Sequence, residues 1–98
     1  MDEVVLHPAA QREYTAAIAW YQQRSERAAR LFVAEVERVV AIIAAQPDRY
    51  GWYEEPFHEA GLRRYPYSLI YRVEPSGEIL IVAVAHASRE PGYWQDRA

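Results

Sequence analysis

The sequence predicts an α+β domain in which a helical hairpin packs on one face of a four-stranded, mainly antiparallel sheet, in the order β-α-α-β-β-β. Two periodicities in the sequence lead to this fold class. Between Pro8 and Gln46 the apolar residues recur with the period of a helix, whereas from Tyr67 onward they alternate with the period of a strand. The 98 residues suffice for one hydrophobic core, so we expect residues 1–98 to form a single domain.

The N-terminal half is predicted to hold one short strand and two helices. Glu3–Leu6 contains two valines and suits a short strand, and a helix begins after it because proline fits the first helical turn. This helix covers residues 8–24 and has a face of small and aromatic side chains. Ser25 caps a second helix, since its hydroxyl can accept a hydrogen bond from a first-turn N–H group. Pro47 cannot continue a helix, so the second one ends near Gln46.

The C-terminal half is predicted to hold three strands. Residues 47–60 contain two prolines, a glycine and four aromatic residues, which indicates a loop or a surface that touches a partner. Gly61–Tyr65 is a strand candidate, and residues 67–74 and 78–87 form a hairpin around a Pro-Ser-Gly turn. A helix pair returns the chain to the end of the sheet that it left, so strand two should run opposite to strand one.

The predicted fourth strand is apolar on both faces. In Ile79–Ala85 both alternating sets of side chains are apolar, which is typical of a central strand that is buried on both sides. If both helices lie on one face of the sheet, something else must cover the other face. Three candidates stay open, namely the aromatic tail after residue 88, the 47–60 connection, and a second protein chain.

The composition excludes several classes of protein. The chain has no cysteine, hence no disulfide framework and no thiolate zinc site. Its longest apolar run is too short to cross a bilayer, and its start lacks the basic residues of a signal peptide, so we expect a cytoplasmic protein without membrane contact. All eleven basic residues are arginine, and the net charge is −3. An acidic domain is a poor general binder of nucleic acid, and we expect no direct sequence-specific binding.

Two sequence blocks resemble the RelE/ParE family of toxins from type II toxin–antitoxin modules. They are RRYPYSLIYRV at residues 63–73 and AVAHASREPGYW at residues 83–94, and together with the order of elements they extend the resemblance over nearly the whole chain. The resemblance implies a RelE/ParE-like fold and a growth-inhibiting bacterial toxin of the plasmid-stabilisation type. It also implies a cognate antitoxin protein that binds and neutralises the toxin.

The family contains ribosome-dependent mRNA endonucleases, like RelE, and the ParE branch, which acts on DNA gyrase. Ser68 stands where the resemblance places a catalytic arginine of the nuclease branch, and the chain contains no lysine. These departures favour a non-catalytic, ParE-like toxin. Two alternatives stay open. One is a RelE-like endoribonuclease and the other is a degenerate, non-toxic binding module with the same fold.

The candidate site residues follow from these alternatives. RNA cleavage without a metal needs an acid, a base and cations that stabilise the phosphate. A nuclease site would draw on His86, Arg64, Arg72 and Arg89. The candidates for antitoxin or target binding are Arg63, Tyr67, Arg89, Tyr93 and Trp94, although core packing is the simpler role for Tyr67.

His86 is predicted to share a face with Leu80, Val82 and Val84, where a structural histidine that fixes the C-terminal turn is the simpler interpretation. The three histidines are far apart in the sequence, and no HExxH or phosphate-binding glycine motif is present, so the sequence predicts neither a metal nor a cofactor.

Overall fold

The computed structural model describes residues 3–97. It confirms an α+β fold in which two helices lie on a sheet, and the sheet has five strands instead of four. In chain order the elements are β1 (Val4–Leu6), α1 (Pro8–Gln22), α2 (Glu26–Ala45), β2 (Trp52–Glu54), β3 (Phe57–Gly61), β4 (Tyr67–Val73) and β5 (Ile79–His86).

Both helices begin where the sequence predicts them. The His7 ring Nδ1 accepts a hydrogen bond from the Ala9 N–H at 3.0 Å, and Pro8 opens α1. The Ser25 hydroxyl accepts one from the Ala28 N–H at 2.9 Å and caps α2. The small side chains on α1, such as the fully buried Ala10, let this helix approach the sheet closely.

The strands are ordered β1-β5-β4-β3-β2, with β1 parallel to β5 and every other pair antiparallel. The strand that precedes β4 is β3, and it runs parallel to β1, so the direction predicted for strand two is wrong. The unpredicted strand β2 is the one that follows the helices and runs opposite to β1. The prediction of a strand at Gly61–Tyr65 is wrong, because β3 ends at Gly61 and a bend follows it.

The 47–60 connection contains an additional hairpin, formed by β2 and β3, where the sequence indicated a loop. The Trp52 ring stacks on the His58 ring at 4.1 Å, and His58 stacks on Tyr71 at 4.8 Å. The backbone carbonyl of Tyr50 accepts a 2.7 Å hydrogen bond from the Nδ1 atom of the His58 ring. Cross-strand aromatic contacts therefore stabilise two short strands in a segment whose prolines and glycine favour a loop.

A β-bulge changes which side chains of β5 share a face. Ile81 is opposite Tyr71 and Ala83 is opposite Ile70, which leaves Val82 without a partner on β4. Val82 and Ala83 both pack on one side of the sheet, and the alternation is shifted beyond them. The prediction that His86 shares a face with Leu80 and Val82 is therefore wrong.

The sheet separates two hydrophobic cores. The helix-side core lies between the sheet and the helices and includes Phe32, Val39 and Ile43 of α2. The tail-side core, on the opposite face, consists of Phe57, Ile70, Val82, Ala83 and Trp94.

The indole of Trp94 closes the tail-side core. Its ring contacts Phe57 at 4.8 Å and Tyr53 at 5.0 Å, and the residue is 2% exposed. Of the three coverings left open by the sequence, the C-terminal tail and the β2–β3 hairpin are the ones present, so this face is covered without a second chain. Among residues 3–97, no helix is long and apolar enough to cross a membrane.

Candidate functional site

The predicted site residues fall in three separate places. Tyr67, His86, Arg89 and Tyr93 line a depression of about 220 Å³ between α1, β5 and the tail, which we call the His86 depression. Arg63 and Arg64 lie in the bend after β3, at residues 63–66, which we call the arginine bend. Arg72 and Trp94 are associated with the tail-side face and the tail.

The His86 depression has aromatic walls and few free polar atoms. The His86 Nδ1 accepts a 3.0 Å hydrogen bond from the Ser88 N–H, which leaves only Nε2 for proton transfer. The Tyr67 ring meets the His86 ring edge-on at 4.9 Å, and the Arg89 guanidinium lies 3.9 Å from the centre of the Tyr93 ring. Trp20, 47% exposed, forms the outer wall. His86 thus bonds the first residues of the tail.

Glu13, which is not among the residues predicted from the sequence, organises the floor of this depression. Its carboxylate accepts two 3.0 Å hydrogen bonds from the Arg97 guanidinium and one of 2.7 Å from the Tyr93 hydroxyl. The carboxylate also accepts a 3.0 Å hydrogen bond from the Val84 N–H, and Arg97 donates a 2.8 Å hydrogen bond to the Val82 carbonyl. The Glu13–Arg97 pair therefore bonds the edge of β5 beyond the end of β1 and ties the tail to α1.

The contacts of Glu13 shift the pKa values of the groups involved. Burial alone would raise the pKa of Glu13, but the hydrogen bonds from Arg97, Tyr93 and the Val84 N–H outweigh it and lower that pKa. Burial, reinforced by the hydrogen bond to Glu13, raises the pKa of Tyr93 to about 12. Glu13 is thus a carboxylate and Tyr93 a neutral phenol at neutral pH.

One signal in the sequence could have identified Glu13. It lies three residues after Ala10 and four before Ala17, and these two alanines are the buried residues of α1. A carboxylate on the buried face of a helix needs a partner. The partner, Arg97, is 84 residues away in the sequence, and no spacing rule connects the two.

The arginine bend is braced from α2 by Glu35. The Arg38 side chain donates two 2.8 Å hydrogen bonds to the Glu35 carboxylate, which also accepts the Arg63 N–H at 2.6 Å. The hydrogen bonds from Arg38 lower the pKa of Glu35. Arg64 adopts a left-handed backbone conformation, with φ of 68°. The braced bend holds both arginine side chains at the surface.

Arg72 is engaged in contacts within the fold. Its Nε donates to the Glu74 carboxylate at 3.0 Å, and a terminal nitrogen donates to the Arg97 carbonyl at 3.3 Å. Arg72 is opposite Leu80 near one end of β4, whereas Tyr67 is opposite His86 at the other end. Arg72 therefore helps to hold the tail and does not reach the His86 depression.

The four residues predicted for a nuclease do not converge on one place. Of the four candidates for a nuclease, only His86 and Arg89 line the same depression. Arg64 belongs to the arginine bend, and Arg72 is bonded to Glu74 and the tail. Within residues 3–97, no three His, Asp or Glu side chains are grouped so that they could hold a metal ion.

Comparison with known proteins identifies the family. A family model described as the ParE toxin of the type II toxin–antitoxin system, parDE, matches residues 4–91. A solved structure titled "Chromosomal ParDE TA system from P. aeruginosa" matches with a TM-score of 0.76 and 20% identity, over 90% of this chain and 98% of that one, which supports the fold alone. No curated protein sequence gives a significant match. The family match spans nearly all of the described residues, and the chain belongs to the ParE family of type II toxins.

Proposed function

We propose that this toxin inhibits bacterial growth by binding DNA gyrase in the cytoplasm, without catalysing a reaction, and that a cognate antitoxin neutralises it by direct binding. The observation that carries the proposal is the separation of His86, Arg64 and Arg72 into three places. A ribonuclease must bring its acid, base and phosphate-stabilising cation to one scissile bond. A toxin that acts by protein contact needs no such convergence.

The charge of the chain supports the same choice. With a net charge of −3 and no lysine, the toxin has no overall positive field to hold mRNA. Ser68, where the nuclease branch would have an arginine, lies within β4 opposite Ala85 and supplies no cation. Protein partners are the better match for a surface that exposes Trp20, Leu31 and Trp52.

The residues proposed for antitoxin or target binding differ in how accessible they are. Arg63 and Arg89 are exposed, and Tyr67 and Tyr93 are partly buried in the wall of the His86 depression. Trp94 is buried, so it would touch a partner only after the tail had left the sheet. Direct recognition is therefore proposed for the two arginines, and a supporting role for the three aromatic residues.

A supercoiling assay with purified gyrase tests the proposal. Added toxin should block supercoiling of relaxed plasmid, and prior addition of the antitoxin should restore it. His86→Ala should inhibit as wild type does, because the proposed action uses no proton transfer. Normal supercoiling at saturating toxin, with gyrase shown to be active, would contradict the proposed target.

A ribonuclease remains the second candidate because His86 and Arg89 share one depression with aromatic walls. That function predicts mRNA cut at codon positions on ribosomes in arrested cells, and no cuts with His86→Ala. Intact mRNA in arrested cells would exclude it. Normal growth of cells that express the toxin alone would indicate the third possibility, a non-toxic binding module.

A further inference from the structure

The arginine bend presents two charged side chains at the surface. Arg63 and Arg64 are exposed, and within residues 3–97 neither side chain belongs to an ion pair. Arg63 contributes only its backbone N–H, which donates to Glu35 at 2.6 Å. The two guanidinium groups are thus free to bind an anion from outside the molecule.

The backbone of the bend is fixed in an uncommon conformation. Arg64 has a φ of 68°, a conformation that glycine adopts at no cost and that arginine rarely adopts. Glu35, clamped by two 2.8 Å bonds from Arg38, braces the bend. A strained residue held by its surroundings is a mark of a functional position.

The bend forms a positive region on an acidic protein. With Arg38 and Glu35, Arg63 and Arg64 line a depression of about 420 Å³ against α2. Three guanidinium groups and one carboxylate leave two positive charges there, whereas the whole chain carries a net charge of −3. An anionic group is therefore attracted to this depression and repelled by the rest of the surface.

The same depression has an apolar side. Leu31, 49% exposed, projects from α2 beside the arginines, and the ring of the partly buried Tyr65 forms another wall. The sugar–phosphate backbone of a nucleic acid offers no apolar side chain to pack on an exposed leucine. The net negative charge of the chain also opposes the binding of a long polyphosphate. A peptide with carboxylates and an apolar side chain matches both parts of the surface.

We infer that the arginine bend and the adjoining face of α2 dock an acidic, amphipathic segment of the antitoxin. The inference rests on the proposed neutralisation by an antitoxin and assigns it a site. Asp or Glu side chains of the segment pair with Arg63 and Arg64, whose planar guanidinium groups bind carboxylates with two parallel hydrogen bonds. An apolar side chain of the segment packs on Leu31.

The test measures binding of the purified candidate antitoxin, a small protein encoded beside the toxin gene. The toxin variants are Arg63→Gln/Arg64→Gln, which removes both charges and keeps polar side chains, and the control Arg12→Gln/Arg49→Gln, which removes two exposed charges elsewhere. Circular dichroism checks that both fold. We expect the first variant to weaken the Kd by about ten-fold or more and to flatten its dependence on NaCl, and the control to bind as wild type does.

Two further variants test the apolar contact and the geometry of the arginine–carboxylate hydrogen bonds. Leu31→Ser should also weaken the Kd, and Arg63→Lys/Arg64→Lys should recover part of the affinity, because it keeps the charge and loses the paired hydrogen-bond geometry. If wild type forms the complex and Arg63→Gln/Arg64→Gln binds with unchanged affinity and salt dependence, the proposed docking site is overturned. The proposed neutralisation by an antitoxin is not affected by that result.

Failure of the wild type to bind the antitoxin would overturn the proposed neutralisation and the site with it. A third outcome concerns nucleic acid. If a fluorescent RNA oligonucleotide bound wild type and lost affinity in Arg63→Gln/Arg64→Gln, while the antitoxin bound that variant normally, the bend would be a nucleic-acid site and the inference would be overturned.

Discussion

The two faces of the sheet are closed by different means. On the helix side, regular helices bury aromatic and aliphatic side chains, and the Phe32 ring stacks on Tyr21 at 4.8 Å and meets Tyr65 at 5.3 Å. On the tail side, an irregular segment inserts the single large side chain of Trp94. That segment is held by polar bonds to Glu13, Glu54 and Arg72. Thus the helix-side face is closed mainly by apolar burial, whereas the tail-side face also depends on ionised groups that tether the covering segment.

The largest expected effect compares one aromatic residue from each face. Phe32→Ala and Trp94→Ala should each lower the free energy of unfolding by about 3–5 kcal/mol, because both side chains are fully or almost fully buried. Urea unfolding followed by circular dichroism measures the loss. If Trp94→Ala cost less than about 1 kcal/mol, the tail would not be an integral part of the second core.

The next effect concerns the polar tether of the tail. Glu13→Gln should lower the free energy of unfolding by about 1–3 kcal/mol, because Arg97 would be left partly buried without its carboxylate. Glu26→Gln is the matched control, since Glu26 and Arg30 form an exposed pair at 3.8 Å whose loss should cost less than about 0.5 kcal/mol. Thermal unfolding of both variants compares the two, and equal losses would contradict a special role for Glu13.

The contribution of Glu13 to the free energy of unfolding should depend on pH. The pKa of Glu13 is lowered in the folded protein, so its contribution is present above the unfolded-state pKa and is lost as the pH falls through the folded-state pKa. The difference in the free energy of unfolding between wild type and Glu13→Gln should therefore be full at neutral pH and shrink below about pH 4. Urea unfolding along a pH series measures it, and a constant difference would contradict the assignment.

The smallest expected effect belongs to the helix side. Ser25→Ala removes the hydroxyl that accepts the Ala28 N–H at the start of α2 and should lower the free energy of unfolding by about 1 kcal/mol. Ser25→Asp should restore most of it, because aspartate is an equally good cap. Chemical unfolding at neutral pH measures both variants, and a loss in the aspartate variant as large as that in Ser25→Ala would indicate that capping is not the cause.

The helix side could be read from the sequence because its signals are local. The start of α1 at Pro8, the cap of α2 at Ser25, the stop at Pro47 and the alternation along β4 depend on neighbours within a few residues. The family resemblance was visible for a similar reason, since it lies in two continuous blocks.

The β2–β3 hairpin and the covering of the second face depend on contacts between residues far apart in the sequence. The period of the apolar residues gives no information about such contacts. The β2–β3 hairpin needs the stack of Trp52 and His58 on Tyr71, and the covering of the second face needs Trp94. The bulge at Val82 inserts one residue into a run of apolar side chains that gives no sign of a change of face. In the His86 depression, Tyr67, His86, Arg89 and Tyr93 are residues that the sequence singles out one by one, but their grouping in one place and the roles of Glu13 and Arg97 depend on contacts between distant parts of the chain.

The shortness of β1 has a consequence for self-association. Beyond Leu6 the backbone of β5 would offer an unpaired carbonyl at Val82 and an unpaired N–H at Val84, the kind of template to which a strand of a neighbouring molecule adds. Arg97 and Glu13 occupy those two groups. The charged pair thus leaves neither of these two backbone groups free to pair with a strand of another molecule.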